Sequence, residues 1–233
     1  NLLMARIKPA LIAAIITPLL LLALSVPFSV LALMGAWLGL WVIASTLLDL
    51  QHKLRNAHSV TQGLSSLRPA YWGMCIAHIG LAMTAMGIAF TSLASEQRDL
   101  RLAPGESAEV AGYVFNFQQM QNAMGPNYSA QHGIFYVRAP NAEMRTLQPE
   151  KRQYMASGNV LTEAAIWPGF SRDIYVSLGE ALQPELGEAS AWSVRLHVKP
   201  AVRWIWLGAI LMALGATLSV LDKRYQHKQI KSD

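Results

Sequence analysis

Residues 71–94 read YWGMCIAHIGLAMTAMGIAFTSLA and include no Asp, Glu, Lys or Arg. A helix needs roughly 20 predominantly apolar residues to cross the ~30 Å hydrocarbon core of a bilayer. This run therefore predicts a transmembrane helix. The composition of the chain agrees, because 53% of its residues are hydrophobic and only 14% are charged, whereas a typical soluble domain has about 25% charged residues.

Two other regions predict membrane helices. No charged residue occurs between Lys8 and Asp49, a run about twice the length of one span. Because Pro27 would interrupt a helix there, we expect residues 1–48 to form a transmembrane hairpin. The spans predicted in addition to 71–94 lie near 9–25, 28–48 and 201–221, the last within the segment 200–222.

Basic residues indicate the orientation of these helices. Three of them lie in the polar loop predicted at 49–70, and four lie in the tail 223–233. Short basic segments stay in the cytoplasm, so we expect the C-terminus there and the segment 95–199 on the opposite side. The pI near 9.5 then reflects membrane topology, and we predict no nucleic-acid partner.

The exported segment 95–199 predicts a small antiparallel β domain. Alternation places Tyr113, Phe115 and Phe117 on one face of a strand. Turn signals such as Pro104-Gly105 separate the strands, which are expected near 110–117, 134–138, 144–147, 173–178 and 192–198. The predicted fold class is an integral membrane α-helical bundle, with four transmembrane helices in this chain and this small antiparallel β domain inserted.

His78 lies about two turns into the helix at 71–94. An ionisable side chain within a bilayer is costly when charged and needs a partner when neutral. A neutral imidazole can bind a metal, and haem iron accepts it. The alternative is a hydrogen bond to a neighbouring helix. A zinc site with Cys75, the single cysteine, would lack its other ligands.

The same helix carries a stripe of small residues, which predicts close contact with another helix. The stripe consists of Gly73, Ala77, Gly80, Thr84 and Gly87. Trp37 and Trp41, four residues apart in the second predicted span, are expected to serve packing.

The remaining histidines give weaker signals. His132 is expected at a strand entry on the surface. His197 alternates with Arg195 and Lys199, a solvated face that could also meet an anionic headgroup or propionate. No serine–histidine–acid or paired-carboxylate pattern is present, so no catalytic residue is predicted. No Cys-x-x-Cys-His motif occurs, so the chain is not expected to be a c-type cytochrome.

Several stretches resemble the C-terminal part of the CcmF family, the haem lyase subunits of bacterial cytochrome c maturation. The resemblance extends in order over most of residues 65–225. The stretches that carry it are LRPAYWGM at 67–74, AHIG at 77–80, LAPGES at 102–107, PEKR at 149–152, LTEAAI at 161–166, RDIYV at 172–176 and KPAVRWIWLG at 199–208. The lyase of nitrite reductase maturation is the alternative within the family.

The resemblance implies a function that the residues alone do not give. Proteins similar to CcmF take haem from the periplasmic haem chaperone CcmE. They attach the haem covalently to the Cys-x-x-Cys-His motif of apocytochrome c, which CcmH-type subunits present. The family also holds a haem b in the membrane between two histidines. His78 matches the second of these axial ligands, and quinol is the implied electron donor.

The family's other haem ligands and its tryptophan-rich motif have no match here. The chain opens with Asn1 within an apolar run, so we expect these elements upstream, and this chain alone should be an incomplete, inactive lyase component. The implied location is the bacterial inner membrane, with 95–199 in the periplasm. The rival hypotheses are a non-catalytic assembly scaffold, with the periplasmic domain as docking platform, and a permease fragment, although the spans contain no charged pathway residues.

Overall fold

A computed structural model describes residues 2–23, 29–55, 59–141 and 143–222. It divides the chain into two compact units. The helical unit combines the part of the chain up to Ala94 with the part from Ala201 onward, and the β unit is Ser95–Pro200.

The helices of the first unit match the apolar runs. They are α1 (Leu2–Ala23), α2 (Val30–Leu54), α3 (Val60–Ser66), α4 (Pro69–Ala94) and α5 (Val202–Val220). Among the described residues, three stretches are long and apolar enough to cross a membrane, namely Ala32–Leu54, Pro69–Ala94 and Val202–Val220. The first predicted span falls in α1, where the apolar stretch Lys8–Leu19 is shorter. The predicted interruption at Pro27 and the tail 223–233 lie outside the described residues.

The segment 49–70, predicted as a polar loop, is largely helical. α2 continues past the first charged residue because its polar end packs against the start of α4. The Tyr71 hydroxyl donates a 2.7 Å hydrogen bond to Asp49 Oδ2, and Lys53 Nζ lies 4.7 Å from the centre of the Tyr71 ring. Pro69 begins α4, a position where its fixed φ and missing N–H are tolerated. A helix can therefore extend beyond the hydrocarbon core.

The predicted small-residue stripe forms the contact between α4 and α5. A Cβ added at Gly80 would stand 2.6 Å from the Gly208 carbonyl oxygen, and one at Gly73 would stand 2.5 Å from the Gly215 carbonyl oxygen. Both distances are shorter than any real contact of a Cβ atom. The absence of side-chain atoms thus allows the two backbones to approach, as in other membrane helix pairs.

α2 packs on a second face of α4. A Cβ added at Gly35 would lie 3.1 Å from the Ala89 Cβ, and one at Gly39 would lie 3.1 Å from the Ala82 carbonyl oxygen. Measured to backbone atoms, this contact is slightly looser than the one with α5, although the Met86 Cγ lies 2.5 Å from the position of a Cβ at Gly39. α4 is consequently flanked by α2 and α5, and the direction of each α4 side chain follows from its angle to these two contacts.

The β unit contains ten strands among its described residues. They are β1 (Glu96–Leu102), β2 (Ser107–Val110), β3 (Tyr113–Met124), β4 (Tyr128–Arg138), β5 (Met144–Leu147), β6 (Glu150–Tyr154), β7 (Val160–Glu163), β8 (Ala165–Trp167), β9 (Arg172–Ala181) and β10 (Trp192–Pro200). They form two antiparallel sheets with the orders β1-β10-β9-β8 and β2-β3-β4-β6-β7, and β5 pairs with β4. The result is a β-sandwich.

The core of the sandwich is aromatic and aliphatic. Tyr113, Phe115 and Phe117 are buried on one face of β3, which confirms the alternation predicted for them. The Phe117 and Phe135 rings stack with their centres 4.6 Å apart. Trp192 of β10 contributes from the other sheet. The domain can bury this core without a disulfide.

Two differences from the predicted strands have physical causes. The strand predicted at 110–117 is a hairpin, because Ala111 (φ 51°) and Gly112 (φ 76°) turn the chain between β2 and β3. Both residues have the left-handed φ that a tight two-residue hairpin requires. β1 was not predicted, because its sequence EQRDLRL is polar at every position except Leu100 and Leu102. Pairing with β10 fixes it as a strand.

Candidate functional site

His78 is exposed on α4. The contact with α5 explains this direction. His78 precedes Gly80 by two residues, so at 3.6 residues per turn it points about 160° away from the face that packs on α5. Of its helical neighbours, Cys75 and Ala82 are buried, whereas Leu81 is exposed. The imidazole is thus exposed beside apolar side chains of α4.

His78 and residues of α2 line one shallow recess. Its volume is about 130 Å³, and the α2 residues that line it are Trp41, Val42, Ser45 and Thr46. The spacing of three and four residues places these side chains on one face of α2. Sequence analysis did not connect them with His78, because the contact depends on how α2 packs against α4.

The polar groups of the recess differ in their hydrogen bonds. The Thr46 hydroxyl donates a 2.8 Å hydrogen bond to the Val42 carbonyl oxygen. Among the residues that the structure describes, neither His78 nor Ser45 makes a hydrogen bond. The helix-to-helix hydrogen bond considered for His78 is therefore not seen within this part of the chain.

Trp41 links the recess to α1. Its ring stacks on Trp37 with the centres 5.6 Å apart, and the Trp37 Nε1–H donates to the Ala10 carbonyl oxygen at 3.3 Å. The packing role expected for this tryptophan pair fits the geometry. In addition, Trp41 forms one wall of the space beside His78.

The surroundings of His78 are compatible with a role as one axial ligand of a haem. An exposed imidazole beside apolar side chains could hold a haem iron, and the recess itself, at about 130 Å³, is too small for a porphyrin. Within 2–23, 29–55, 59–141 and 143–222, no group of three or more His, Cys, Asp or Glu could hold a metal ion. The Cys75–His78 pair therefore gains no further ligand from these residues.

His132 lies in the middle of β4 and not at a strand entry as predicted. It pairs with Gln121 on β3 and with Glu150 on β6. Its Nε2 is 3.8 Å from Glu150 Oε2, and the same carboxylate accepts a 2.7 Å hydrogen bond from Arg152 Nε. His132 is thus part of a partly exposed cluster with Glu150 and Arg152, and these contacts indicate a structural role.

His197 lies on the outer face of its sheet beside Tyr175, with the ring centres 6.3 Å apart. Burial lowers the pKa of His197, and the positive charges of Lys199 and Arg195 lower it further. Arg195 is held by two hydrogen bonds to the Asp99 carboxylate, at 2.7 and 3.1 Å. Lys199 Nζ lies 5.2 Å from the centre of the Tyr175 ring. These surroundings favour the neutral form of the imidazole.

The β unit also has a cleft of about 470 Å³ that sequence analysis missed. It is lined by residues of six strands and by Pro184, and these residues include Lys151, Glu180 and Trp192. Lys151 Nζ lies 2.6 Å from Glu180 Oε2 and donates to the Gly179 carbonyl oxygen at 2.9 Å. No local motif predicts this cleft, because strands distant in sequence build it.

Both units of the chain are similar to proteins of one family. A family model described as the CcmF C-terminal β-sandwich matches residues 93–200. The cytochrome c-type biogenesis protein CcmF of Pseudomonas aeruginosa is 46% identical over 191 residues, which are 82% of this chain and 28% of that protein. The protein of the same name from Escherichia coli is 38% identical over 195 residues, 84% of this chain and 28% of that protein.

A solved structure titled cytochrome c heme lyase CcmF has the same fold. The TM-score is 0.73 at 20% identity, and the match covers 95% of this chain and 34% of that one. The chain is therefore a multi-pass membrane protein with an inserted β-sandwich. It belongs to the CcmF family and matches the C-terminal part of its members, spanning about 28% of the length of these curated relatives.

Proposed function

We propose that this chain is the C-terminal part of a haem lyase. In this proposal the whole protein takes haem from the chaperone CcmE and attaches it to the Cys-x-x-Cys-His motif of apocytochrome c, presented by CcmH-type subunits. The support is the family membership, together with the name of the solved structure that shares this fold. The chaperone, the motif and the CcmH-type partners come from the resemblance.

The observation that carries the proposal is the exposed His78 on a membrane helix. An imidazole in apolar surroundings requires a partner, and the described residues provide none. We assign His78 as one axial ligand of a haem b, with the second ligand outside this chain. When bound, a haem b supplies one-electron chemistry, which the resemblance connects with quinol as donor and the iron of the substrate haem as acceptor.

The orientation is part of the same proposal. The basic residues at 49–70 and 223–233 support a cytoplasmic location for these segments. The β unit then lies in the periplasm, where substrate haem and apocytochrome would be found. Its nine basic and eleven acidic residues argue against strong electrostatic steering of partners, so apolar contacts are the expected mode of docking.

A second candidate function is a non-catalytic scaffold that docks assembly partners. Exposed apolar side chains of the β unit favour it, above all Met124 with 74% and Phe170 with 71% of its surface accessible. Exposed apolar side chains of this size can contribute to the contact surface of a partner protein. The two candidates make the same prediction for docking and opposite predictions for a resident haem.

Substituting His78 by Ala in the full-length protein separates them. The variant should lose the membrane haem or show a strongly altered visible spectrum, since an axial ligand sets the spin state and affinity of the iron. Cytochrome c maturation should fall with it. Exogenous imidazole should partly restore the spectrum by occupying the space of the missing ring.

His132→Ala, which changes a histidine in the β unit, is the control and should leave the spectrum unchanged. A purified His78→Ala protein that retains a normal six-coordinate haem would disprove the site. A full-length protein that contains no haem at all would support the scaffold.

A further inference from the structure

Two polar side chains without a hydrogen-bond partner among the described residues share the recess between α2 and α4. They are His78 and Ser45. The third polar side chain there, Thr46, is buried, and its hydroxyl is oriented by the Val42 carbonyl oxygen. Ser45 is half-buried and lies on the face of α2 beside the His78 imidazole, so its hydroxyl is available to that side chain.

An imidazole that binds iron through one ring nitrogen carries an N–H on the other. This N–H generally donates to an acceptor in the protein, which fixes the tautomer and the ring orientation and makes the ligand more basic. The acceptor must come from a residue beside the ring. In the part of the chain that the structure describes, the hydroxyl groups of the recess are those of Ser45 and Thr46.

We propose that Ser45 is the positioning residue for His78. Its hydroxyl accepts the hydrogen bond from the imidazole nitrogen that does not bind iron, either directly or through one water molecule held in the recess. The recess, at about 130 Å³, has room for such a water. This inference rests on the proposed role of His78 as a haem ligand.

The hydrogen bond has an electronic consequence. A more basic imidazole donates more electron density to iron and stabilises its oxidised form, which lowers the midpoint potential. Removal of the acceptor should therefore shift the midpoint potential of the membrane haem to a more positive value. A merely structural role of Ser45 in helix packing would leave the potential unchanged.

The test is redox titration of the visible spectrum in four full-length proteins purified in detergent: wild type, Ser45→Ala, Ser45→Thr and Thr46→Val. Ser45→Ala should keep a six-coordinate haem and show the positive shift. Ser45→Thr keeps the hydroxyl and should titrate as the wild type does. Thr46→Val is the matched control, with nearly the same shape and no hydroxyl, and should also titrate as the wild type does.

Other outcomes overturn the inference. An unchanged potential in Ser45→Ala excludes Ser45 as the acceptor and leaves His78 as a ligand. A shift in Thr46→Val without one in Ser45→Ala assigns the role to Thr46. Retention of a normal haem in His78→Ala removes the proposed ligand itself, so this failure of the proposed function is distinguishable from failure of the inference alone.

Discussion

The two units of this chain hold together in opposite ways. In the helical unit, α4 and α5 meet through glycines, and the Gly80 and Gly208 backbones approach so closely that a single added carbon would clash. In the β unit, the core contains large rings such as Phe117, Phe135 and Trp192, which are fully or almost fully buried. One contact depends on missing side-chain atoms and the other on bulky ones.

The difference follows from the solvent of each unit. In a bilayer, lipid tails are as apolar as Leu, so large side chains gain little from leaving them, and helices associate by close packing. In water, burial of apolar surface contributes about 25 cal/mol per Å², and aromatic residues bring the most surface. The β core should therefore be most sensitive to removal of atoms, and the α4–α5 contact to their addition.

Removal of atoms should have the largest effect in the β core. Phe117→Ala deletes a ring that stacks on Phe135, and we expect a loss of about 3–5 kcal/mol of domain stability. Val114→Ala, on the opposite face of β3, is the control. Limited proteolysis of the full-length protein at rising temperature measures the difference. Equal resistance of both variants would contradict the view that this core holds the sandwich together.

Addition of atoms should disturb the helical unit somewhat less. A Cβ at Gly208 would stand 2.5 Å from the Gly80 carbonyl oxygen, so Gly208→Leu should destabilise the α4–α5 contact by about 1–3 kcal/mol. Ala209→Leu adds a similar side chain at the next, exposed position and should be nearly neutral. Unfolding in mixed detergent compares the two. Equal loss in both variants would show that the close contact is not what matters.

The smallest effect concerns the polar outer face of the β unit. Burial, Lys199 and Arg195 lower the pKa of His197 from the ~6.5 of an unfolded chain. The unfolded state then binds more protons as the pH falls below about 6.5, so the stability of the domain decreases toward lower pH. His197→Gln cannot titrate and should lack this part of the pH dependence. Proteolysis at pH 7.5 and 5.5 measures it, and identical pH profiles for both proteins would exclude the contribution.

Sequence alone predicted the features that depend on local pattern. Apolar length located the helices, the spacing of Gly73, Gly80 and Gly87 predicted the close contact, and alternation predicted the buried face of β3. The hairpin at Ala111-Gly112 was missed because alanine seldom adopts a positive φ. β1 was missed because its strand character comes from pairing with β10, which is about 90 residues away in the chain.

The candidate site also has one part that the sequence predicted and another that it did not. His78 was predicted because an ionisable residue within an apolar run is visible in the sequence. Ser45 and Trp41 were not, since they lie on another helix and only the packing of α2 against α4 brings them to the recess. The cleft beside Lys151 likewise depends on strands that are far apart in sequence. The sequence therefore predicted which side chain could bind a ligand, whereas the residues that surround it became known only from the structure.

The position of β10 in its sheet determines when this sheet can be completed during translation. This last strand of the β unit lies between β1 and β9, so β1 emerges from the ribosome without its neighbour. At roughly 5–20 residues per second, β1 waits about 5–20 s for β10 to be made. During this interval the β unit is an incomplete sheet with an open edge, which is when it is most vulnerable to aggregation and proteases. β1 should therefore become resistant to proteases only after residue 200 has been translated.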